Sequence, residues 1–292
     1  MIDKISGDFI NKITDLSLPD IYYGNKLGLI EDSYDNSETD LITFIDDRKY
    51  IRKVLRNEKI ISIYTTHELW DELKNSTIQP IFCEDPRFYF YSLYNFIGHL
   101  NYVKRPSRIA TTSKINSKAF VSEYNVVIGS NTVIEPNATI LPDVEIGDNV
   151  IIRAGAVIGS EGFEHKKTSK GILSVFHSGK VIIYDNVEIG ANSCVDKGLI
   201  RNTVIHPEVK IDNLVHIAHS VVIGKKSFIT AGVLIAGSVK IGENVWLSVG
   251  DVILNNVHIG NNSFVGANSL VLRTIKENSR VFGIPAISLL HE

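Results

Sequence analysis

From Ile205 to Val271 a branched or apolar residue returns at every sixth position. The series runs Ile205, Ile211, Ile217, Ile223, Ile229, Ile235, Ile241, Leu247, Ile253, Ile259, Val265 and Val271. Four residues after most of these stands a second small or branched residue: Val209, Val215, Val221, Ser227, Val233, Val239 and Val245. Neither the 3.6 period of a helix nor the two-residue period of an ordinary strand places a branched residue at every sixth position. A short fixed repeat marks a solenoid, and a hexapeptide repeat predicts a parallel β-helix. Each unit supplies one short strand and a turn, and three units close a triangular coil of about 18 residues. The branched side chains point inward and stack coil upon coil, each burial contributing roughly 1.5–3 kcal/mol.

The same rhythm begins upstream. Ile109, Ile115 and Val121 keep step, one residue slips, and Ile128, Ile134, Ile140, Ile146, Ile152 and Ile158 continue it. It breaks at Gly159 to Phe163 and returns at Ile183, Ile189 and Val195. Extra residues before Ile205 predict a corner bulge over 196–203. The β-helix domain is therefore expected over 105–276, interrupted by an inserted loop at 160–180 and followed by a C-terminal extension, 277–292. That loop carries His165, Lys166, Lys167, Lys170, His177 and Lys180. A long loop on a rigid scaffold is commonly functional, and a solvated flap with incidental charge is the other reading.

Residues 1–104 lack the period and read as a small α/β domain. Strands are predicted at 41–45, 60–65 and 79–83, with helices over 47–55 and from Thr66. Asp85 before Pro86 offers an N-cap with proline at the first helical position, ahead of an aromatic helix from Phe88 to Leu100.

Composition narrows the classes. The chain has 292 residues, 44% hydrophobic and 22% charged, with a formal net charge of −3. That balance argues against a dedicated nucleic-acid binder, which is usually basic. Cys83 and Cys194 are the two cysteines, too few for a disulfide framework and too far apart for a metal or redox motif. The start of the chain shows no basic flank leading into an apolar run, and no stretch approaches a membrane span. A cytoplasmic location is the expectation.

Counting coils turns the ladder into a coordinate system, because positions 18 apart share a column. His219 has Gly237 one coil on, Asn255 two coils on, and Arg201 nominally one coil back. Gly237 carries no side chain, so a ligand could lie against its backbone N–H beside the imidazole. A histidine beside an open backbone donor suits acyl transfer: the base removes a proton from the attacking amine, and the N–H stabilises the oxyanion. Spacing alone equally fits a surface or subunit-contact histidine. His206, His216 and His258 also lie on the solenoid, but with no Cys or stacked second His a metal site is not expected. Phe44 and Tyr50, between a strand and an early helix turn, fit either core packing or a stacking site for a planar base.

The run Ile211-Asp-Asn-Leu-Val-His-Ile-Ala-His219-Ser-Val-Val-Ile-Gly224 resembles the catalytic segment of the UDP-3-O-acylglucosamine N-acyltransferases of lipid A synthesis. The resemblance continues through 231–242, the Gly-Ser-Glu-Gly-Phe163 opening of the loop, the segment 181–190, and Ile42-Thr43-Phe44 with Arg48-Lys49-Tyr50. It implies a left-handed parallel β-helix, an exception to the usual right-handed crossover, assembled as a homotrimer with sites between subunits. It further implies His219 as general base, Gly237 as oxyanion donor and Phe44 and Tyr50 as base contacts. Phe163 and His177 follow as substrate contacts, and Gly237 with Asn255 as contacts to the coenzyme A arm. A second family histidine falls at Asn256 here, with His258 displaced by two, so Asn256 is the candidate in its place.

The sequence stops soon after Gly283-Ile-Pro-Ala286, which resembles sugar acetyltransferases that use coenzyme A for surface polysaccharides. The expected function is therefore transfer of a short acyl group, such as acetyl, from acyl-CoA to the amine of a UDP- or dTDP-linked sugar. No permanently bound cofactor and no nucleic acid partner are expected. Three rivals stand beside it: the lipid A enzyme with a hydroxyacyl-acyl carrier protein donor, a non-catalytic nucleotide-sugar-binding scaffold, and a metal-dependent hydratase.

Overall fold

In a computed structural model of the chain, the described residues are 4–5, 21–22, 26–28 and 41–283. The Ile284-Pro-Ala286 stretch and most of the first 40 residues lie outside them. The chain divides into two compact units: residues 1–102 with 164–176, and residues 103–163 with 177–292.

The second unit is a triangular solenoid. Its three faces are parallel sheets of 8, 9 and 8 strands. The first runs from Arg108–Ile109 to His258–Ile259, the second from Lys114–Ile115 to Arg280–Val281, and the third from Phe120–Val121 to Leu270–Val271. Register follows the repeat, with Ile217 beside Ile235 and Ile235 beside Ile253. Every member of the six-residue series from Ile205 to Val271 is between 0 and 6% exposed, so the ladder is the core. Each turn satisfies its backbone from the next coil, as where Ser238 N–H donates to the His219 carbonyl at 3.0 Å.

The corners demand a left-handed residue, and the sequence supplies mostly asparagine and glycine there. Asn131, Asn149, Asn186, Asn244, Asn262 and Asn278 all have φ between 53° and 60°. Asparagine tolerates that region because its short polar side chain bonds locally. In this protein neighbouring corner amides also bond one another, as Asn244 Nδ2 does to Asn262 Oδ1 at 3.0 Å.

The expected bulge is real. The strand Cys194–Asp196 is followed by an irregular stretch before Thr203–Ile205. That coil takes 22 residues, since Cys194 stands beside His216 and Val195 beside Ile217. A second irregularity lies one coil back, where the pairing shifts between Ile158 and Ser160.

The first unit holds a four-stranded parallel sheet, Lys26–Leu27, Leu41–Phe44, Ile60–Thr65 and Gln79–Phe82. Leu41, Ile45, Val54, Ile60, Ile63 and Leu73 form its apolar core. The predicted 47–55 helix is a 3-10 turn at Arg48–Tyr50 running into an α-turn at Ile51–Leu55. The aromatic helix runs Pro86–Asn101 with proline in its first turn, as the sequence predicts, and Asp85 caps it by accepting from Phe88 N–H at 2.9 Å.

The inserted segment is more ordered than a loop. His165–Thr168 and Gly171–Ser174 pair as an antiparallel hairpin that groups with the N-terminal residues rather than with the solenoid. Asn95 in the helix Pro86–Asn101 clamps its exit, donating to the Ser174 carbonyl and accepting from Phe176 N–H, both at 2.8 Å. Asp85 accepts from Ser169 N–H at the hairpin tip, at 2.6 Å.

Candidate functional site

The solenoid carries a groove of about 510 Å³ along one edge of its third face. Its lining comprises Glu161, Phe163, Asp196, His216, Ala218, His219, Leu234, Ala236, Gly237, Val252, Leu254 and Asn255 among others. The alternation of a strand sets which side chains face the groove: Ile217, Ile235 and Ile253 point into the core, so His216, Leu234 and Val252 point out. The groove is polar at the Glu161, Asp196 and His216 end and apolar at the Leu234, Val252 and Leu254 end.

His219 stands between two glycines. A Cβ built on Gly237 would lie 2.6 Å from its Nε2 and 2.7 Å from its Cε1. A Cβ on Gly162 would lie 3.0 Å from its Cδ2 and 3.1 Å from its Cβ. The residue against the preceding-coil side of the ring is thus Gly162, at the start of the excursion, although Arg201 holds the nominal column position. Gly162 is held in turn by His177, which is 2% exposed and whose Nε2 accepts the Gly162 N–H at 3.1 Å. The His177 and His219 rings sit edge to face, their centroids 6.1 Å apart. The ring nitrogen that accepts must be unprotonated, so this bond fixes His177 with its proton on Nδ1 when neutral.

A carboxylate cluster lies at the polar end. Asp196 Oδ1 accepts from Ser160 Oγ at 2.5 Å, and Asp196 Oδ2 is 3.8 Å from His216 Nε2. Beside it Lys197 is almost buried, its Nζ 3.5 Å from Asp143 and 3.6 Å from Glu161. Cys194, on the strand preceding His216, has its thiol pushed up by burial and by the Asp196 charge.

The candidate residues from the sequence fall into three groups. His219, Gly237, Asn255 and Phe163 line the same groove. His177 and Asn256 are not among its lining residues: His177 supports Gly162, and Asn256 is an exposed corner residue with φ 61° whose N–H donates to the Gly237 carbonyl. Phe44 and Tyr50 belong to the first unit. Phe44 is half-buried against Phe90 and Tyr91, with ring centroids at 5.0 and 5.4 Å. Tyr50 is half-buried as well, with Lys49 and Lys53 at 4.8 and 5.8 Å from its ring centre. Gly162, Ser160 and Asp196 were not legible as site residues, because their approach depends on the excursion and the 22-residue coil.

Comparison with known proteins agrees with this architecture. Residues 125–160, 202–237 and 238–273 match the family described as bacterial transferase hexapeptide (six repeats). A UDP-3-O-acylglucosamine N-acyltransferase of Caulobacter vibrioides (strain NA1000 / CB15N) is 50% identical over 86 residues, 30% of this chain and 25% of that protein. UDP-3-O-acylglucosamine N-acyltransferase 2 of Legionella pneumophila (strain Paris) is 49% identical over 144 residues, 49% of this chain and 42% of that protein. The matched stretches thus span between a quarter and about two fifths of those relatives' own length. Among solved structures, UDP-N-acetylglucosamine acyltransferase from Campylobacter jejuni superposes with a TM-score of 0.52 at 23% identity, covering 61% of this chain and 69% of that one. At that identity the likeness speaks for the fold. Over the solenoid the chain has the left-handed parallel β-helix fold built from hexapeptide repeats. Among the described residues, no helix is long and apolar enough to cross a membrane.

Proposed function

We propose that this chain is a sugar N-acyltransferase, moving an acyl group from a thioester to the amino group of a nucleotide-linked sugar. The observation that carries the reading is the His219 imidazole, held between backbone glycines in a groove with one polar and one apolar end. His219 accepts a proton from the attacking nitrogen as the N–C bond forms. The Gly237 N–H stabilises the oxyanion that develops on the former thioester carbonyl. The C–S bond then breaks, its electron pair leaving on sulfur, and the imidazolium returns the proton to the thiolate.

The apolar rows suit the donor arm, with Asn255 at their edge. A coenzyme A thioester carrying a short acyl group is the donor we favour, with Phe163 at the polar end against the sugar. Phe44 and Tyr50 of the N-terminal unit receive the uracil or thymine ring, the cationic Lys49 and Lys53 beside Tyr50 suiting an adjoining phosphate. The relatives' names favour another acceptor, UDP-3-O-acylglucosamine, for which a hydroxyacyl-carrier protein is the rival donor. Leu234, Leu254, Leu270 and Leu272 are all at least 39% exposed beside the groove, and a homotrimer would cover them.

The test is thioester consumption with acetyl-CoA and with hydroxyacyl-carrier protein, each against a panel of UDP- and dTDP-linked amino sugars. Amide formation in one pairing, lost about 10²–10⁴-fold in His219→Ala, is the expected result. Near-normal turnover in His219→Ala would remove His219 from the mechanism. Binding of nucleotide sugars with no thioester consumed would make the chain a binding scaffold instead.

A further inference from the structure

The Asp196–His216 pair has no place in the one-base mechanism just given. We propose that His216, backed by Asp196, is a second proton acceptor, taking the first proton from an acceptor that arrives as an ammonium ion. The inference rests on the amine-acceptor reading.

Proton balance gives such a group a task. A sugar amine, its pKa lowered by the neighbouring ring oxygens to about the α-amino range near 8, is largely protonated at neutral pH and largely free at pH 9. Converting an ammonium ion and a thioester into an amide and a thiol strips two protons from nitrogen. One ends on the departing sulfur, and the other is released. The first must leave before the nitrogen has a lone pair with which to attack. If His219 took that first proton it would be an imidazolium at the moment of attack, unable to accept the second. A separate acceptor in the same groove lets His219 stay neutral until the N–C bond forms.

The geometry supplies one. His216 and Asp196 line the groove that His219 lines. His216 Nε2 is 3.8 Å from Asp196 Oδ2, so an imidazolium formed there would face a carboxylate. The carboxylate is itself held: Asp196 is 6% exposed, and Ser160 Oγ donates to its other oxygen at 2.5 Å. His216 has a side chain 45% exposed, which gives the captured proton a route to solvent.

The placement departs from the ladder around it. Leu234 follows His216 on its outward row, then Val252 and Leu270, all apolar. The titratable groups around His216 are Asp196, Cys194 on the preceding coil, and Glu161 and His219 along the groove; Leu234 covers the other side. Lys197, next to Asp196 in sequence, is engaged by Asp143 and Glu161.

The experiment compares kcat/KM of the wild type, His216→Gln and Asp196→Asn from pH 7 to pH 9, using the active donor and amino-sugar pairing found above. At pH 7 an imidazole is largely neutral while the acceptor is still mostly an ammonium ion, and each variant is expected to lose about 10–10²-fold. At pH 9 the acceptor is already a free amine, and the deficit should shrink to less than about threefold. His219→Ala, by contrast, should be depressed across the whole range. Melting curves of each variant at both pH values separate a folding defect from a chemical one. A loss that is constant with pH in the folded variants, or no loss at pH 7, overturns the proposal while leaving the transferase reading intact. Absence of amide formation by the wild type with every pairing overturns the transferase reading itself, and this inference with it.

Discussion

The Nε2 of His219 lies where a Cβ on Gly237 would be 2.6 Å away, closer than any ordinary carbon contact. The glycine is required by this approach and not by its backbone angles, since it is not among the glycines with positive φ. Gly237→Ala must therefore displace the imidazole, while the surrounding coil, whose cross-coil bonds are made by backbone, stays closed. We expect a fall in turnover of about 10²-fold or more with a melting temperature within a few degrees of wild type. Normal turnover in that variant would mean that His219 works from another position. Gly232→Ala is the control for turnover alone: its added Cβ meets nothing within 4 Å, and the strain at its φ of 71° costs stability rather than activity.

How far the sequence reaches is visible at this same site. A constant period makes distance along the chain into position in space, so His219, Gly237 and Asn255 could be placed in one column by counting. Counting fails wherever the coil length changes. Asp196 comes to His216 because the coil between them takes 22 residues, and Gly162 reaches His219 from the mouth of an excursion. The hairpin at 165–174 shows the same limit from the other side. Its partners, Asp85 and Asn95, are about 80 residues away, and nothing periodic links them. Phe44 shows that exposure is equally hidden: the strand ending was legible, but its packing on Phe90 and Tyr91 depends on a helix six elements later.

One carboxyl sits in the ladder itself. Asp251 occupies the inward position that Val233 holds one coil earlier, and it is fully buried. Its oxygens accept from Ser248 N–H at 2.8 Å and Ser269 N–H at 2.9 Å. Burial nevertheless dominates and raises its pKa from 3.8 to about 6, the two N–H donors opposing the shift. The folded chain therefore holds a proton that the unfolded chain has released between these values. Stability from this group is fully present below pH 4 and is lost as pH rises through 6. The loss is of order 1–3 kcal/mol. Urea unfolding midpoints at pH 4.5 and 7.5, wild type against Asp251→Asn, measure it. The wild type should lose more stability than the variant over that interval, and equal slopes would show that the carboxyl is not perturbed.

The final prediction concerns a single corner. Gly155, Asn192, Leu214, Gly232, Gly250 and Asn268 occupy corresponding turns of successive coils, all with φ between 56° and 74°. Five are glycine or asparagine; Leu214, at φ 59°, is neither. A left-handed conformation costs an ordinary L-residue about 1–2 kcal/mol, and asparagine much less. The leucine side chain returns little in exchange, being 63% exposed. Leu214→Asn should then raise stability by about 1 kcal/mol, read as a higher urea midpoint with an unchanged slope. Leu214→Ala separates the causes, because it removes the exposed isobutyl group and keeps the Cβ that makes the conformation costly. If alanine stabilises as much as asparagine, the gain comes from shedding exposed apolar surface. If asparagine lowers the midpoint, the leucine contributes a contact that outweighs its backbone strain.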